Sequence, residues 1–583
     1  MSQQRERDGV SRRRALQTAA SILGPQRRQR DRRRRQAWTG CRAAVRGEGP
    51  DFRRGLPHAG GNAALTGYLP KRHAVVVARG RGRRDPVLYD LAPRHERRRR
   101  PDAPDLRAQR VVRHAVSMVG LVAAGMVVPL AARTQATPVD LLITRARVVD
   151  TRSGAITPGR VIAIGGDTIV AIGDSAEGSR FRARQVVDAA GRHVVPGLWD
   201  MHMHFGGGDT LIHENRLLLP LYLAHGVTAV RDAAGDLSST VLAWRDSVAR
   251  GLLDGPTIFT SGPKIEGKSS IWPGDTEVET QAGVDSALDN LQRLRVDFVK
   301  LTDNTLKPEL FRYALGAIRR RGMKSSAHIP AGVPVKEAVE LGLGSIEHLS
   351  YAIRGGSEGI PRAPGADNQS AFDSATAVAL YRFMAERGTA ITPTLNISRT
   401  LAWLDSEDHT RDDYLKYIGP GLRATYAWRV ERQAGSTPEA IARRHANYEF
   451  SSSKLPLLQQ AGVLILAGTD AGFLNSYDYP GIGLHDELGL LVKAGLTPLQ
   501  ALQASTINGA RWLGRESRHG TLARGSASDL VILEGNPIAD ISATRRIRGV
   551  VVRGRYLDRA KLDSMLAGVA RDVSRMKGSV PPR

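Results

Sequence analysis

The chain has 583 residues, 41% of them apolar, which is enough for a large core and too many for one ordinary domain. Its net charge of +26 suggests a nucleic-acid partner until the distribution is read. Residues 1–110 hold 29 Lys and Arg against 10 Asp and Glu, a net of +19, which leaves an unremarkable +7 for everything after and argues for no nucleic acid as partner.

That first stretch contains self-repelling runs, Arg32-Arg33-Arg34-Arg35 and Arg97-Arg98-Arg99-Arg100, and scarce apolar periodicity. It predicts a disordered basic arm. Three readings compete for it: an arm for nucleic acid or anionic lipid, a long leader, and a gene start assigned too far upstream. The segment after residue 106 favours the third. Arg107, Arg110, Arg113 and His114 precede an apolar run over residues 115–132, which ends in Arg133-Thr134-Gln135-Ala136. Basic flank, apolar core and a small-x-Ala end predict a secretory signal peptide over 111–136, cleaved after Ala136. The expectation is a periplasmic or secreted protein that meets the membrane only during export. The alternative is an uncleaved anchor, for which 18 residues with Pro129 among them are short. The single cysteine, Cys41, lies in the arm, so the remainder has no disulfide and no thiolate ligand.

After Ala136 the text becomes strand-like. Residues 140–150 run into the turn Thr151-Arg152-Ser153-Gly154, and 159–167 with 168–173 predict a hairpin across Gly166-Asp167. Short strands follow at 185–188 and 192–195. The same texture returns at 530–533 and 547–552. So few strands seldom bury a core alone, so 137–196 and 516–560 are expected to form one composite β-sandwich domain.

Between them, residues 197–515 alternate short apolar strands with amphipathic helices. Strands are predicted at 226–232, 256–261, 296–301, 324–329, 345–349, 390–395 and 464–470, after an opening strand that ends in His202-Met203-His204. Helices are predicted over 285–294, 309–321, 335–341 and 376–387. Eight such units predict an α/β fold, a (β/α)8 TIM barrel. Residues 396–459 are too long for a plain connection and read as extra helices over the barrel mouth.

Barrel chemistry sits at the C-terminal ends of strands. Those ends carry His202 and His204, Lys300, His328, Glu347-His348 and Asp470. His202 and His204 are two apart, so on a strand they share one face and can grip one metal ion. A single strand histidine is more often hydrogen-bonded core, but ionisable groups at five strand ends in this order are not chance.

The combination resembles the amidohydrolase superfamily, in its imidazolonepropionase-like branch with Xaa-Pro and Xaa-Arg dipeptidases and related carboxypeptidases. The residues that carry the resemblance are Pro196-Gly197-Leu198-Trp199-Asp200-Met201-His202-Met203-His204, Gly226 through Asp232, Asp297-Phe298-Val299-Lys300, Ala327-His328, Glu347-His348 and Gly468-Thr469-Asp470-Ala471-Gly472. Gly495-Leu496-Thr497-Pro498, Gly520-Thr521-Leu522 and Ser528-Asp529-Leu530 extend it over roughly 138–556.

The resemblance implies two divalent metal ions, with zinc the first choice for imidazole and carboxylate ligands. His202, His204 and Asp470 would hold one ion and His328 and His348 the other. Lys300, carbamylated by carbon dioxide, would bridge them. A bridging hydroxide would attack an amide carbonyl, with Asp470 moving its proton to the leaving amine. The implied partner is a small-molecule or dipeptide-like substrate, such as a small peptide or an N-acyl amino acid, and the branch often forms homo-oligomers. Alternatives are a cyclic amide, a lactone or a xenobiotic amide as substrate, or, from another class, a basic nucleic-acid-binding protein with an inert barrel.

Other residues carry weaker expectations. Asp232 reads as structural, and His225 and His485 as hydrogen-bonded core. The loop 261–274 is expected to line the substrate pocket, with Lys264 a solvated lysine that a substrate carboxylate could meet. Arg399, Arg411 and Tyr414 are further guesses in the long insertion.

Overall fold

A computed structural model describes residues 136–360 and 369–576. The expected arm, Cys41 and all of the expected export segment except Ala136 lie outside the described residues. Among the described residues, no helix is long and apolar enough to cross a membrane.

The two ends of the described chain meet in one eight-stranded sheet. Thr137–Val149, Ile156–Gly165, Thr168–Gly173, Phe181–Asp188 and His193–Pro196 come from the N-terminal side. Leu530–Leu533, Ile547–Val552 and Arg555–Asp558 come from the C-terminal side. The join is antiparallel, with Pro196 opposite Leu530 and His193 opposite Leu533. The hairpin turns at Gly166, whose φ of +56° suits a residue without Cβ. Leu141, Ile143, Ile162, Ile164, Ile169, Val194, Leu530 and Ile532 form a shared apolar cluster, so neither end buries its strands without the other. The last strand leads into a helix, Arg559–Arg575, capped by Asp558, which accepts from Lys561 N at 2.8 Å. Leu562 and Val569 bury its inner face.

Within the central segment the strands are parallel. They are β1 (Leu198–His204), β2 (Val227–Asp232), β3 (Thr257–Thr260), β4 (Val299–Leu301), β5 (Ser325–Ala327), β6 (Ser345–Glu347), β7 (Ala390–Thr392) and β8 (Ala471–Gly472). One sheet holds β8-β1-β2-β3, and the other holds β4-β5-β6-β7 with two short strands at Ile265–Glu266 and Thr276–Glu277. Hydrogen bonds link them on both sides: Asp297 N to Thr260 O at 3.0 Å, Ile391 N to Leu464 O at 3.0 Å, and Met201 N to Ala467 O at 2.8 Å. Helices follow the strands. Gln281–Leu294 starts at the Thr280 cap, ends at Arg295 in the left-handed region (φ +52°), and buries Val284, Leu288 and Leu291 at helical spacing. Pro308–Arg320 starts on its proline and buries Leu310, Phe311, Ala314, Leu315 and Ile318.

One element differs from its expectation. Residues 464–470 are not a regular strand: Ile465 alone makes a bridge, to Ile391, and β8 starts only at Ala471. Here Asp470 adopts φ +73°, which no continuous strand allows, and Gly468 lies so close to His202 and Thr392 that a Cβ would collide with both. The insertion after β7 is helical, with Leu395–Ala402, Pro420–Thr425, Ala427–Gln433 and Pro438–Ser453.

Candidate active site

Alternation along β1 buries Met201 and Met203 in apolar surroundings and turns His202 and His204 the other way. His204 Nε2 lies 2.5 Å from Asp470 Oδ1, and His202 Nε2 lies 3.3 Å from the same oxygen. One candidate ligand atom from each of the three lies within 4.8 Å of the others. Asp470 is held in place by its neighbour. Thr469 donates to the buried Asp200 through N (3.0 Å) and Oγ1 (2.7 Å), which fixes the turn to β1.

His328 and His348 form a second pair, their Nε2 atoms 3.0 Å apart. The other nitrogen of His348 is 2.7 Å from Thr394 Oγ1, and both residues take positive φ, +67° and +49°. His328 stacks on Tyr351 with ring centroids 5.3 Å apart, and Tyr351 donates its hydroxyl to Asp303 at 2.8 Å. Lys300, at the centre of β4, is 1% exposed, and its Nζ has no hydrogen-bond partner.

Beneath the histidines lies a buried ion pair. Arg231 Nη2 donates to both Glu347 oxygens, at 2.8 and 2.7 Å, and both side chains are wholly buried. Glu347 also accepts from Ser326 (2.7 Å) and Ser345 (2.6 Å), and its Oε2 lies 2.5 Å from His202 Nδ1. That bond fixes the His202 ring and leaves Nε2 without a hydrogen bond.

The electrostatics suit a cation. Burial pushes the imidazoles of His328 and His348 well below their usual range, so both are neutral with a lone pair to offer. Burial opposes the charge of Asp470, but His204 and His202 outweigh it and keep the carboxyl well below the usual carboxylate range. Glu347 is likewise held low by Arg231 and His202 against the pull of burial. Burial brings Lys300 down to about 8, which makes a neutral amine accessible near neutral pH. Neutral imidazoles, an ionised carboxylate and two unpartnered nitrogens, His202 Nε2 and Lys300 Nζ, form a donor set that fits divalent metal.

The six residues expected to hold metal, His202, His204, Lys300, His328, His348 and Asp470, are thus brought together. His204, Lys300, His328, His348 and Asp470 line one cavity, and His202 lies behind them with Nε2 3.3 Å from Asp470 Oδ1. The loop after β3 reaches this cavity through Lys264 and Trp272. Lys264 differs from its expectation. It is not solvated but 6% exposed, paired with Asp275 at 3.2 Å. Arg399 pairs with Glu407 at 2.6 Å, Tyr414 bonds His225, and Arg411 lies in a short turn, so none of the three lines the cavity. Asp232 accepts from Phe205 N and Thr260 Oγ1, a structural role. The sequence reading gave no role to Glu347, Arg231, Arg429 or Asn475. Glu347 had a signal, since it is a carboxylate within a short strand and directly adjoins His348.

Residues 193–557 match the amidohydrolase family, more than half of the chain. The chain belongs to the amidohydrolase family. Among relatives of this amidohydrolase, the ochratoxinase of Aspergillus niger is 23% identical over 413 residues, covering 61% of this chain and 73% of that one. The imidazolonepropionase of Vibrio vulnificus is 26% identical over 458 residues, covering 72% and 98%. A solved bottromycin amidohydrolase superposes with a TM-score of 0.59 at 22% identity, covering 74% of this chain and 90% of that one. A solved Xaa-Pro dipeptidase gives 0.54 at 22%, covering 72% and 99%. At these identities the solved structures speak for the fold. Family membership makes the protein an enzyme of the amidohydrolase class.

Proposed function

We propose that this amidohydrolase hydrolyses an amide bond in a small peptide or N-acyl amino acid with the help of two divalent ions. The observation that carries the reading is the convergence of His204, His328, His348, Lys300 and Asp470 on one cavity, with His202 behind Asp470 and with His202 Nε2 and Lys300 Nζ free of hydrogen bonds. His202, His204 and Asp470 would hold one ion, His328 and His348 the other, and a carbamate on Lys300 would bridge them. When bound, such ions supply Lewis acidity, acidifying a water and polarising a carbonyl.

The rest of the chemistry belongs to the chain. Asp470 stays ionised, and its Oδ1 faces both imidazoles of β1. Oδ2 is left to take a proton from water and hand it to the departing amine. Glu347 locks His202, Thr394 orients His348, and Tyr351 braces the His328 ring. Walls from Lys264 and Trp272 confine the substrate. We further read the two parallel sheets as arcs of one closed eight-stranded barrel over 197–515, supported by the linking hydrogen bonds, and the two-ended sheet as the expected sandwich domain. Export through the 111–136 segment fits a peptide scavenger, and mass spectrometry of the mature N-terminus tests it.

The function test pairs metal analysis with a screen of dipeptides and N-acyl amino acids. The expected result is about two divalent ions per chain and turnover of panel members that chelation abolishes. Active protein free of metal overturns the proposal. Labelling with 13C-bicarbonate tests the carbamate directly, through its carbon resonance.

A further inference from the structure

The same cavity is lined by Arg429, from the helix Ala427–Gln433 of the insertion. Its Nη2 donates to Asn475 Oδ1 at 3.2 Å, and its Nε is buried without a partner. Among the described residues, no carboxylate forms an ion pair with this guanidinium. Lys264, on the same cavity, is different. It already pairs with Asp275 and lies over the Trp272 ring at 5.2 Å. Arg429 is therefore a cation built into the pocket wall that feels the Asp470 carboxylate across the cavity but touches no carboxylate.

Its position is fixed, not loose. Asn475, 4% exposed, takes the Arg429 hydrogen bond on its oxygen and donates its own Nδ2 to the Asp470 carbonyl. A bridge between Gly472 and Asn475 closes the turn between them. The guanidinium is thus tied by one side chain to the residue that carries the proposed proton transfer. Its own helix supplies Trp428, whose ring lies 4.7 Å from the Arg429 carbon and 5.9 Å from Trp272. The Trp428 ring supports the guanidinium from outside the cavity, and Trp272 lines the cavity beside it.

We infer that Arg429 anchors a carboxylate of the substrate, so that the enzyme favours amides carrying a free acid group near the bond it cuts. A guanidinium fork matches a carboxylate in shape and charge, and Arg429 has no ion-pair partner in contact to displace. The location near the scissile bond rests on the proposed function. The anion preference rests on Arg429 itself, and the test keeps the two apart.

Binding of a panel of N-acetyl amino acids and their primary amides is measured by calorimetry on metal-loaded protein. The acids are expected to bind about 10- to 100-fold more tightly than the amides, the range of a charge-assisted hydrogen bond. Arg429→Met removes that preference. Arg429→Lys, which keeps the charge but not the fork, retains part of it and serves if the Met variant does not fold. Acids that bind no better than amides, or a preference that survives Arg429→Met through the metals alone, overturn the inference. Cleavage of the panel is followed in parallel. An Arg429-dependent preference without any cleavage upholds the anchor and defeats the proposed reaction.

Discussion

Two buried clusters of histidine in this molecule have opposite fates. At the strand tips, His328 and His348 face each other nitrogen to nitrogen at 3.0 Å, and His202 keeps Nε2 without a hydrogen bond. Elsewhere, His225 and His485 lie with ring centroids 6.1 Å apart. There His485 bonds Thr544 Oγ1 and the His225 carbonyl, both at 3.0 Å, and His225 bonds the Tyr414 hydroxyl. Burial pushes the imidazoles of both clusters down, so burial and charge state do not separate them. The difference is satisfaction. One cluster commits three ring nitrogens to hydrogen bonds with neutral partners, and the other turns its Nε2 atoms toward a shared space beside a carboxylate. A buried donor without a partner is costly unless something else fills it.

The comparison can be broken most severely at Asp470. Asp470→Asn is expected to cut kcat on the cleaved panel member by about 10²–10⁴-fold, the worth of a general base, with little loss of folded protein. Turnover near wild type would remove the proton-transfer role. The matching change in the other cluster, His485→Gln, is expected to leave kcat unchanged.

Next in size is the floor of the site. Glu347→Gln leaves the Arg231 charge buried without its partner, and the expected cost is about 3–5 kcal/mol of folding stability. Denaturant unfolding of the metal-loaded protein measures it. Chelation should also distinguish the clusters. Metal removal is expected to lower the melting temperature of wild type, since a ligand that binds only the folded state stabilises it. Asp470→Asn should shrink that shift and His485→Gln should not.

A further effect lies in acid. His225 and His485 titrate at about 3 in the folded protein against an ordinary 6.5, because burial disfavours the cation. A depressed folded value means that their contribution to stability is complete above pH 6.5. It is lost as pH falls from there toward 3, because the unfolded chain binds the protons first. His485→Gln should flatten the fall in melting temperature over that window while the wild type declines. Equal slopes would show that other groups set the acid limit.

Much of the site was legible because several strands are short apolar runs interrupted by ionisable residues near their ends. Lys300 within Val299-Lys300-Leu301 stands out for that reason, and so do His328 and His348. The residues that were not legible depend on contacts that no spacing encodes. Arg429 lies on a short amphiphilic helix and looks like any exposed arginine, and only the fold sets it against Asn475. Lys264 looked solvated for the same reason, since Asp275 meets it only after the loop closes. The irregular eighth strand was missed because an aspartate at positive φ carries no sequence mark comparable to glycine. In contrast, the helix Arg559–Arg575 was readable. Leu562, Leu566, Val569 and Val573 have helical spacing, but the expected domain limit at 560 left them outside.

The sheet shared by both chain ends has a consequence for biogenesis. Its N-terminal strands emerge from the ribosome before the whole central segment, and their partner Leu530–Leu533 only after it. Until then the edge of His193–Pro196 stands open. A premature stop before residue 530 would strand that edge as a sticky template, so shortened products should aggregate or be degraded rather than persist as partial enzymes.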